Sequence, residues 1–141
     1  MVNNQLVNKV RLFLTDVDGC LTDGGMYYSA EGEHLKRFCV YDGMGMVCLQ
    51  QAGIPCGILT SEQSPIVKAR AEKLKLRYLY LGVGSKVGKS VTRYDFSSPA
   101  SQSVSTELPP MTKLEAAREI CAQLGITLDE VCYVEIGRAH V

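Results

Sequence analysis

The first apolar run of the chain and the acids behind it read Val10-Arg11-Leu12-Phe13-Leu14-Thr15-Asp16-Val17-Asp18-Gly19. A short apolar run that ends in turn residues predicts a buried strand, with Asp16 and Asp18 at its carboxyl end. Open α/β sheets bind ligands at that edge. The Asp16 carboxylate and the Asp18 backbone carbonyl can turn toward a common point there, and such oxygens suit a hard cation such as Mg²⁺. Asp-x-Asp-Gly also occurs in plain turns, but the segment lacks the Glu at the twelfth position of an EF-hand loop.

The composition of the chain limits the class of protein. Its 141 residues with 46% hydrophobic content predict one globular domain, residues 1–141, with its own core. Fifteen basic residues balance fifteen acidic residues, so we expect neither a nucleic-acid nor a membrane partner. The first residues lack the basic and apolar regions of a signal peptide, which predicts a cytoplasmic protein. The six cysteines are scattered without metal-binding spacing and are expected to be reduced.

Strand-like and helix-like patterns alternate along most of the chain. Strands are predicted at 54–59, 77–81 and 131–134, and helices begin near residues 41, 64 and 114. This alternation predicts an α/β fold with a parallel sheet. A β-hairpin with its turn at residues 30–33 is inserted after the first strand, and because a lone hairpin is marginally stable we expect it to pack on a neighbouring subunit.

Three further groups of polar residues have two interpretations each. The glycine-rich helix start at 42–45 offers free N–H groups to an anion, or Asp42 is an ordinary N-cap. Thr60 and Ser61 follow a buried strand, where a hydroxyl can hold a phosphoryl oxygen or simply cap the next helix. Arg70 is either a cation for a substrate or a solvated side chain.

Residues 84–112 interrupt the alternation of strands and helices. The segment begins with basic residues and continues with a Ser- and Pro-rich stretch. A long segment of this composition between regular elements predicts a disordered insertion.

Taken together, these residues resemble the haloacid dehalogenase (HAD) superfamily of phosphatases, in particular the small capless branch that includes 3-deoxy-D-manno-octulosonate 8-phosphate phosphatase. The resemblance covers residues 11–81 and 113–134. The motifs that carry it are Asp16-Val17-Asp18-Gly19-Cys20-Leu21-Thr22-Asp23-Gly24, Gly32-Glu33, Leu35-Lys36, Asp42-Gly43-Met44-Gly45 and Ile58-Leu59-Thr60. It implies a three-layer Rossmann-like fold with a parallel sheet and an inserted hairpin, and a cytoplasmic homotetramer.

The resemblance also implies a reaction and a set of site residues. Asp16 would be the nucleophile that forms an aspartyl-phosphate, and Asp18 the general acid and base. Mg²⁺ would be held by Asp16 and Asp18, and Thr60 would hydrogen-bond a phosphoryl oxygen. A lysine near the nucleophile completes the family's set, and Lys113 and Lys86 both fit it. We favour Lys113 because a helix N-terminus fixes its side chain better than a loop fixes that of Lys86.

The substrate implied by the resemblance is a small phosphorylated sugar acid, most directly 3-deoxy-D-manno-octulosonate 8-phosphate, an intermediate of lipopolysaccharide biosynthesis. The residues assigned to substrate binding are Asp18, Cys39, Val40, Tyr41, Asp42, Gly43, Ser61 and Arg70. Two positions depart from the family pattern: Tyr41 stands where Arg is usual, and Glu62 where some members have Arg.

The C-terminal residues depart from the pattern most. After Val134 the family has a glycine and paired aspartates that supply a third metal ligand, whereas this chain continues with Glu135 to Val141. We therefore expect residues 135–141 to be a non-native tail on a chain truncated at its C-terminus. The same departure supports a second hypothesis, a non-catalytic oligomerisation module like the phosphatase-like domain of acylneuraminate cytidylyltransferases.

Overall fold

A computed structural model describes residues 4–84, 90–99 and 104–137. A 3-10 turn at Leu128–Glu130 precedes the last strand. The helices and strands are, in chain order, α1 (Asn4–Val7), β1 (Leu12–Thr15), β2 (Tyr27–Ser29), β3 (Gly32–Leu35), α2 (Val40–Gln51), β4 (Cys56–Thr60), α3 (Pro65–Lys73), β5 (Tyr78–Leu81), β6 (Val91–Tyr94), β7 (Ser105–Leu108), α4 (Lys113–Leu124) and β8 (Val131–Val134).

The central sheet has six strands in the order β7-β6-β5-β4-β1-β8. Strand β1 is parallel to both β4 and β8, and β4 is parallel to β5. The predicted α/β fold with a parallel sheet is therefore confirmed for these four strands. Because parallel strands end at one edge, the residues that follow β1, β4, β5 and β8 meet there, which is the edge where α/β folds bind ligands.

The sheet is covered on both faces, which gives the predicted three layers. On one face, Met46 of α2 and Val67 of α3 pack with Ile58. On the other face, Ala116 and Ile120 of α4 form a second cluster with other buried residues of the sheet. Burial on both faces explains why the parallel strands read as continuous apolar runs rather than alternating patterns.

The helix starts near the ligand-binding edge are fixed by their caps. Ser64 is the N-cap of α3, where its hydroxyl accepts a hydrogen bond from the Val67 N–H. Thr112 and Glu115 form a capping box at the start of α4. That box fixes the first turn of α4 and with it the backbone of Lys113.

The segment 84–112 contains regular structure that its composition did not predict. Strand β6 pairs antiparallel with β5, and β7 pairs antiparallel with β6. Val91 and Phe96 are fully buried. The expectation of a structureless insertion is therefore wrong for β6 and β7, because β6 satisfies the backbone groups that β5 would leave unpaired. Residues 85–89 and 100–103, including Lys86, lie outside the described residues.

Helix α2 also differs from its prediction. Its N-cap is Cys39, so Asp42 lies in the first turn and is not the N-cap. Gly43 and Met46 are buried, whereas Met44 is 61% exposed. The reason is the packing of α3, since Arg70 and Leu74 lie directly over Gly43.

The predicted hairpin is formed by antiparallel β2 and β3. Its side chains Tyr28 and Leu35 are exposed in the single chain. Among the described residues no helix combines the length and the apolar character needed to cross a bilayer.

Candidate active site

A cleft of about 380 Å³ opens at the carboxyl edge of the parallel strands. It lies where β1, β4 and β8 end and α4 begins. Its lining residues are Asp16, Asp18, Ser61, Val83, Gly84, Lys113, Glu135, Ile136 and Gly137. The structure thus brings together both acids of the first motif, one of the two candidate lysines and the only acid of the chain's last seven residues.

Asp16 and Glu135 share one ammonium group inside this cleft. Lys113 Nζ lies 3.2 Å from Asp16 Oδ2 and 2.7 Å from Glu135 Oε2. The three side chains are only 12–15% exposed. The Tyr133 hydroxyl donates a second hydrogen bond to Glu135 Oε2, at 3.0 Å. The arrangement provides one positive charge next to the candidate nucleophile.

The two carboxyl groups differ in their affinity for a proton. Burial raises the pKa of Asp16, a hydrogen bond from the Val17 N–H and the nearby Lys113 only partly offset this, and a hydrogen bond with Glu135 adds to the rise. Burial also acts to raise the pKa of Glu135, but hydrogen bonds with Lys113, Asp16 and Tyr133 outweigh it, so that pKa is lowered. Lys113 therefore pairs more strongly with Glu135 than with Asp16, in agreement with the shorter distance from Lys113 Nζ to Glu135.

Asp18 is held by a lysine of the hairpin that sequence reasoning did not assign to the site. Lys36 Nζ lies 2.7 Å from Asp18 Oδ1 and also pairs with Glu33 and Glu62. Burial acts to lower the pKa of Lys36, but hydrogen bonds to Asp18 and Glu33 outweigh it and raise that pKa. The sequence offered two signals: Lys36 belongs to a motif that carries the family resemblance, and its three-residue spacing from Glu33 indicates a local ion pair. Neither indicates a contact with Asp18.

The two hydroxyl residues after β4 occupy different environments. Ser61 is exposed and lines the cleft. Thr60 is buried, and its Oγ1 accepts a weak hydrogen bond of 3.4 Å from the Glu62 N–H. Its backbone carbonyl accepts a hydrogen bond of 2.9 Å from the Val83 N–H. Thr60 is thus used to shape the β4–α3 loop, and its predicted contact with a phosphoryl oxygen stays a prediction.

Most residues predicted to bind substrate lie in a second group. Arg70 donates a hydrogen bond of 3.2 Å to the Cys39 carbonyl, and its guanidinium lies 5.5 Å from the centre of the Phe38 ring. A Cβ at Gly43 would lie against Arg70 Nη2, so the two residues pack closely. Tyr41 is 82% exposed. This group borders a cleft of about 340 Å³ lined by Leu21, Thr22, Asp23, Arg37, Phe38, Cys39, Val40 and Asp42, none of which lines the Asp16 cleft.

Two curated phosphatases are similar to this chain in sequence. The chain is 36% identical over 96 residues to 3-deoxy-D-manno-octulosonate 8-phosphate phosphatase KdsC of Haemophilus influenzae, a match covering 68% of this chain and 52% of that protein. It is 37% identical over 83 residues to KdsC of Yersinia pestis, covering 59% and 44%. The chain therefore spans about half the length of the curated relatives it matches. No protein-family model matches it.

Solved structures agree with these sequence matches. The cobalt-bound deoxy-D-mannose-octulosonate 8-phosphate phosphatase (YrbI) of Haemophilus influenzae superposes with a TM-score of 0.70 at 28% identity, over 93% of this chain and 61% of that chain. A Legionella pneumophila hydrolase named as a member of HAD subfamily III A superposes with a TM-score of 0.69 at 29% identity, over 93% and 57%. The chain is therefore a homologue of the 3-deoxy-D-manno-octulosonate 8-phosphate phosphatases and has the fold of the HAD superfamily.

A third structural relative bears on the metal expected in a HAD phosphatase. The Moraxella catarrhalis 3-deoxy-D-manno-octulosonate 8-phosphate phosphatase, solved with magnesium ion, phosphate ion and a KDO molecule, superposes with a TM-score of 0.71 at 29% identity, over 96% of this chain and 63% of that chain. In the present chain, unlike in a preformed metal cage, the described residues contain no group of three or more His, Cys, Asp or Glu suited to a metal. Mg²⁺ usually binds one or two protein carboxylates and keeps several waters, so the Asp16 carboxylate and the Asp18 carbonyl fit it.

Proposed function

We propose that the protein is a Mg²⁺-dependent phosphomonoesterase that acts on a sugar-acid phosphate, with 3-deoxy-D-manno-octulosonate 8-phosphate as the favoured substrate. The observation that carries this proposal is the position of Asp16 and Asp18 in one cleft at the carboxyl edge of the sheet, with Lys113 Nζ 3.2 Å from Asp16 Oδ2. The names of the relatives support the same reaction and the same substrate class.

The proposed reaction has two displacements at phosphorus. In the first, an Asp16 carboxylate oxygen forms a bond to phosphorus while the bond to the sugar oxygen breaks, and Asp18 donates a proton to that oxygen. In the second, a water oxygen forms a bond to the phosphorus of the aspartyl-phosphate while the bond from phosphorus to the Asp16 oxygen breaks, and Asp18 takes up a proton from the water. Inorganic phosphate leaves, and both aspartates return to their starting state.

Charge balance around Asp16 is the task of Lys113 in this scheme. A carboxylate that attacks a phosphate anion needs a nearby cation, and Lys113 already lies against it. The Asp16 carboxylate and the Asp18 carbonyl would hold Mg²⁺, which when bound neutralises phosphoryl oxygens. Thr60 and Ser61 would donate hydrogen bonds to the phosphoryl group. Lys86 remains the alternative lysine.

The sugar acid is proposed to contact the segment from Cys39 to Gly43, together with Asp18, Ser61 and Arg70. Arg70 supports this role indirectly, because it holds the segment through the Cys39 carbonyl. The exposed apolar side chains Tyr28 and Leu35 of the hairpin support the further proposal that the hairpin packs on a partner subunit in a cytoplasmic tetramer.

One observation favours a second candidate function, a non-catalytic oligomerisation module. In the cleft, Glu135 pairs with Lys113 and accepts a hydrogen bond from Tyr133. Two protein groups therefore already bind Glu135 Oε2, which disfavours Glu135 as a substitute for the third metal ligand that the family has. A domain with that arrangement could retain the fold and the hairpin surface without turnover.

Phosphate release separates the two candidates. Purified protein is incubated with a panel of phosphorylated sugars and sugar acids, in the presence of Mg²⁺ and in the presence of EDTA. We expect Mg²⁺-dependent release that is fastest with the 8-phosphate of the octulosonate. Absence of release from every ester, in a sample that is folded and oligomeric, would favour the module.

A further inference from the structure

The buried side chain of Lys36 carries a positive charge that pairs with acids outside the hairpin as well as with one inside it. Lys36 follows β3 directly, and its side chain is only 3% exposed. Three carboxylates surround its ammonium: Glu33 in the same hairpin, Asp18 at 2.7 Å and Glu62 at 3.5 Å. These acids come from three separate segments of the chain, namely the hairpin, the loop after β1 and the loop after β4.

An ammonium removed from water is unfavourable by several kcal/mol unless it is paired with good geometry. Glu33, three residues before Lys36, could pair with it without any tertiary contact. The structure instead draws Asp18 and Glu62 to the same nitrogen. The hairpin therefore cannot shift relative to the loop after β1 without breaking the ion pair between the buried Lys36 side chain and Asp18, which is 39% exposed.

A second contact fixes the far side of this cluster. Glu33 Oε2 lies 3.2 Å from the Ser64 hydroxyl, and Ser64 is the N-cap of α3. Thus a continuous path of polar contacts runs from the start of α3 through Glu33 and Lys36 to Asp18. Lys36 binds the Oδ1 atom of Asp18. Among the described contacts none involves Asp18 Oδ2, which is left for proton transfer.

We propose that Lys36 is a positioning residue for Asp18: by binding Oδ1 it fixes the carboxyl group so that Oδ2 faces the leaving-group oxygen in the cleft. The inference rests on the proposed function, because it assigns Asp18 the proton transfer. The inference adds that the hairpin of each chain contributes to that chain's own active site, besides any contact with a partner subunit.

The test uses two esters that differ in their need for a general acid. A sugar phosphate has a poor leaving group that must be protonated, whereas p-nitrophenolate leaves readily as an anion. We expect Lys36→Met to lower kcat for the sugar phosphate by about 100-fold or more, and for p-nitrophenyl phosphate by about 5-fold or less. Lys36→Arg should recover most of the loss. Lys9→Met, a matched change at an exposed site outside both clefts, should behave as the parent protein.

Equal losses of kcat with the two esters would overturn the inference and leave Lys36 a structural residue. If the parent protein releases phosphate from neither ester, the proposed function fails. In that case crystal structures of the parent and of Lys36→Met still test the positioning: we expect Asp18 to change its side-chain orientation in the variant. An unchanged Asp18 would contradict the inference. Circular dichroism of each variant checks the fold. Glu33→Gln removes the charge of one of the three acids around Lys36 and is therefore a milder change to the same cluster.

Discussion

Lys113 Nζ contacts Asp16 Oδ2 at 3.2 Å, although the two residues are far apart in the sequence. Asp16 follows the central strand β1, and Lys113 is the first residue of α4. The contact arises because the capping box of Thr112 and Glu115 fixes the start of α4 beside the end of β1. The same lysine pairs with Glu135, so one ammonium balances two acids.

The first prediction concerns the carboxylate of Asp16. Asp16→Asn keeps the size and removes the charge and the nucleophilic oxygen, so we expect phosphate release to fall by at least about 1,000-fold. Asp129→Asn makes the same chemical change at an exposed position away from the cleft and should leave the rate unchanged. Full activity in Asp16→Asn would reject the aspartyl-phosphate scheme. Both rates are measured by phosphate release at saturating Mg²⁺.

The second prediction compares the two candidate lysines. Lys113→Met leaves Asp16 and Glu135 facing each other without a shared cation, and we expect phosphate release to fall by about 100-fold. Lys86→Met should cause a much smaller loss. The reverse result, a silent Lys113→Met and an inactive Lys86→Met, would transfer the role to Lys86. Thermal melting of both proteins distinguishes a lost charge from a lost fold.

Much of this site follows from sequence patterns that have local causes. The continuous apolar runs predict the parallel strands, and the order of strands and helices places their carboxyl ends together. Asp16 and Asp18 could therefore be assigned to the ligand-binding edge. Lys113 is a candidate through the family resemblance, and its predicted position at a helix N-terminus favours it over Lys86.

The remaining features depend on tertiary contacts that leave little trace in the sequence. Strand β6 carries polar side chains such as Thr92 and Arg93 and becomes a strand because β5 offers it an unpaired edge. The pairing of Lys36 with Asp18 requires the hairpin to fold back over the loop after β1. Gly43 is buried because Arg70 and Leu74, from a later part of the chain, pack on it. No local pattern encodes such contacts.

The third prediction tests the packing between the central strands. Gly57 of β4 lies between Leu14 and Tyr78, and an added Cβ would be 2.8 Å from Tyr78 Cβ and 2.9 Å from Leu14 Cδ2. Gly57→Ala should therefore lower the free energy of unfolding by about 1–3 kcal/mol. Gly45→Ala in α2 meets no atom within 4 Å and should raise it by up to about 1 kcal/mol. Urea denaturation of the two variants gives both values, and equal stabilities would contradict the packing described for β4.

The fourth prediction concerns stability at alkaline pH. Tyr80 is fully buried and its hydroxyl donates a hydrogen bond of 3.0 Å to Glu119 Oε1. Burial raises the pKa of Tyr80 to about 12, against about 10 in an unfolded chain. Between these two values the unfolded chain loses the proton and the folded chain keeps it. The contribution of Tyr80 to the free energy of unfolding should therefore be intact below pH 10 and fall by about 2–3 kcal/mol as the pH rises to 12.

Two variants isolate the contribution of Tyr80 to this pH dependence. Tyr80→Phe loses the hydrogen bond to Glu119 and should be less stable by about 1 kcal/mol at neutral pH. Because it has no phenol to ionise, its stability should fall less steeply above pH 10 than that of the parent protein. Tyr28→Phe removes an exposed phenol and should keep the parent's slope. Urea denaturation at pH 8, 10 and 11 measures the slopes, and an unchanged slope in Tyr80→Phe would mean that the Tyr80 hydroxyl ionises as easily in the folded chain as in the unfolded one.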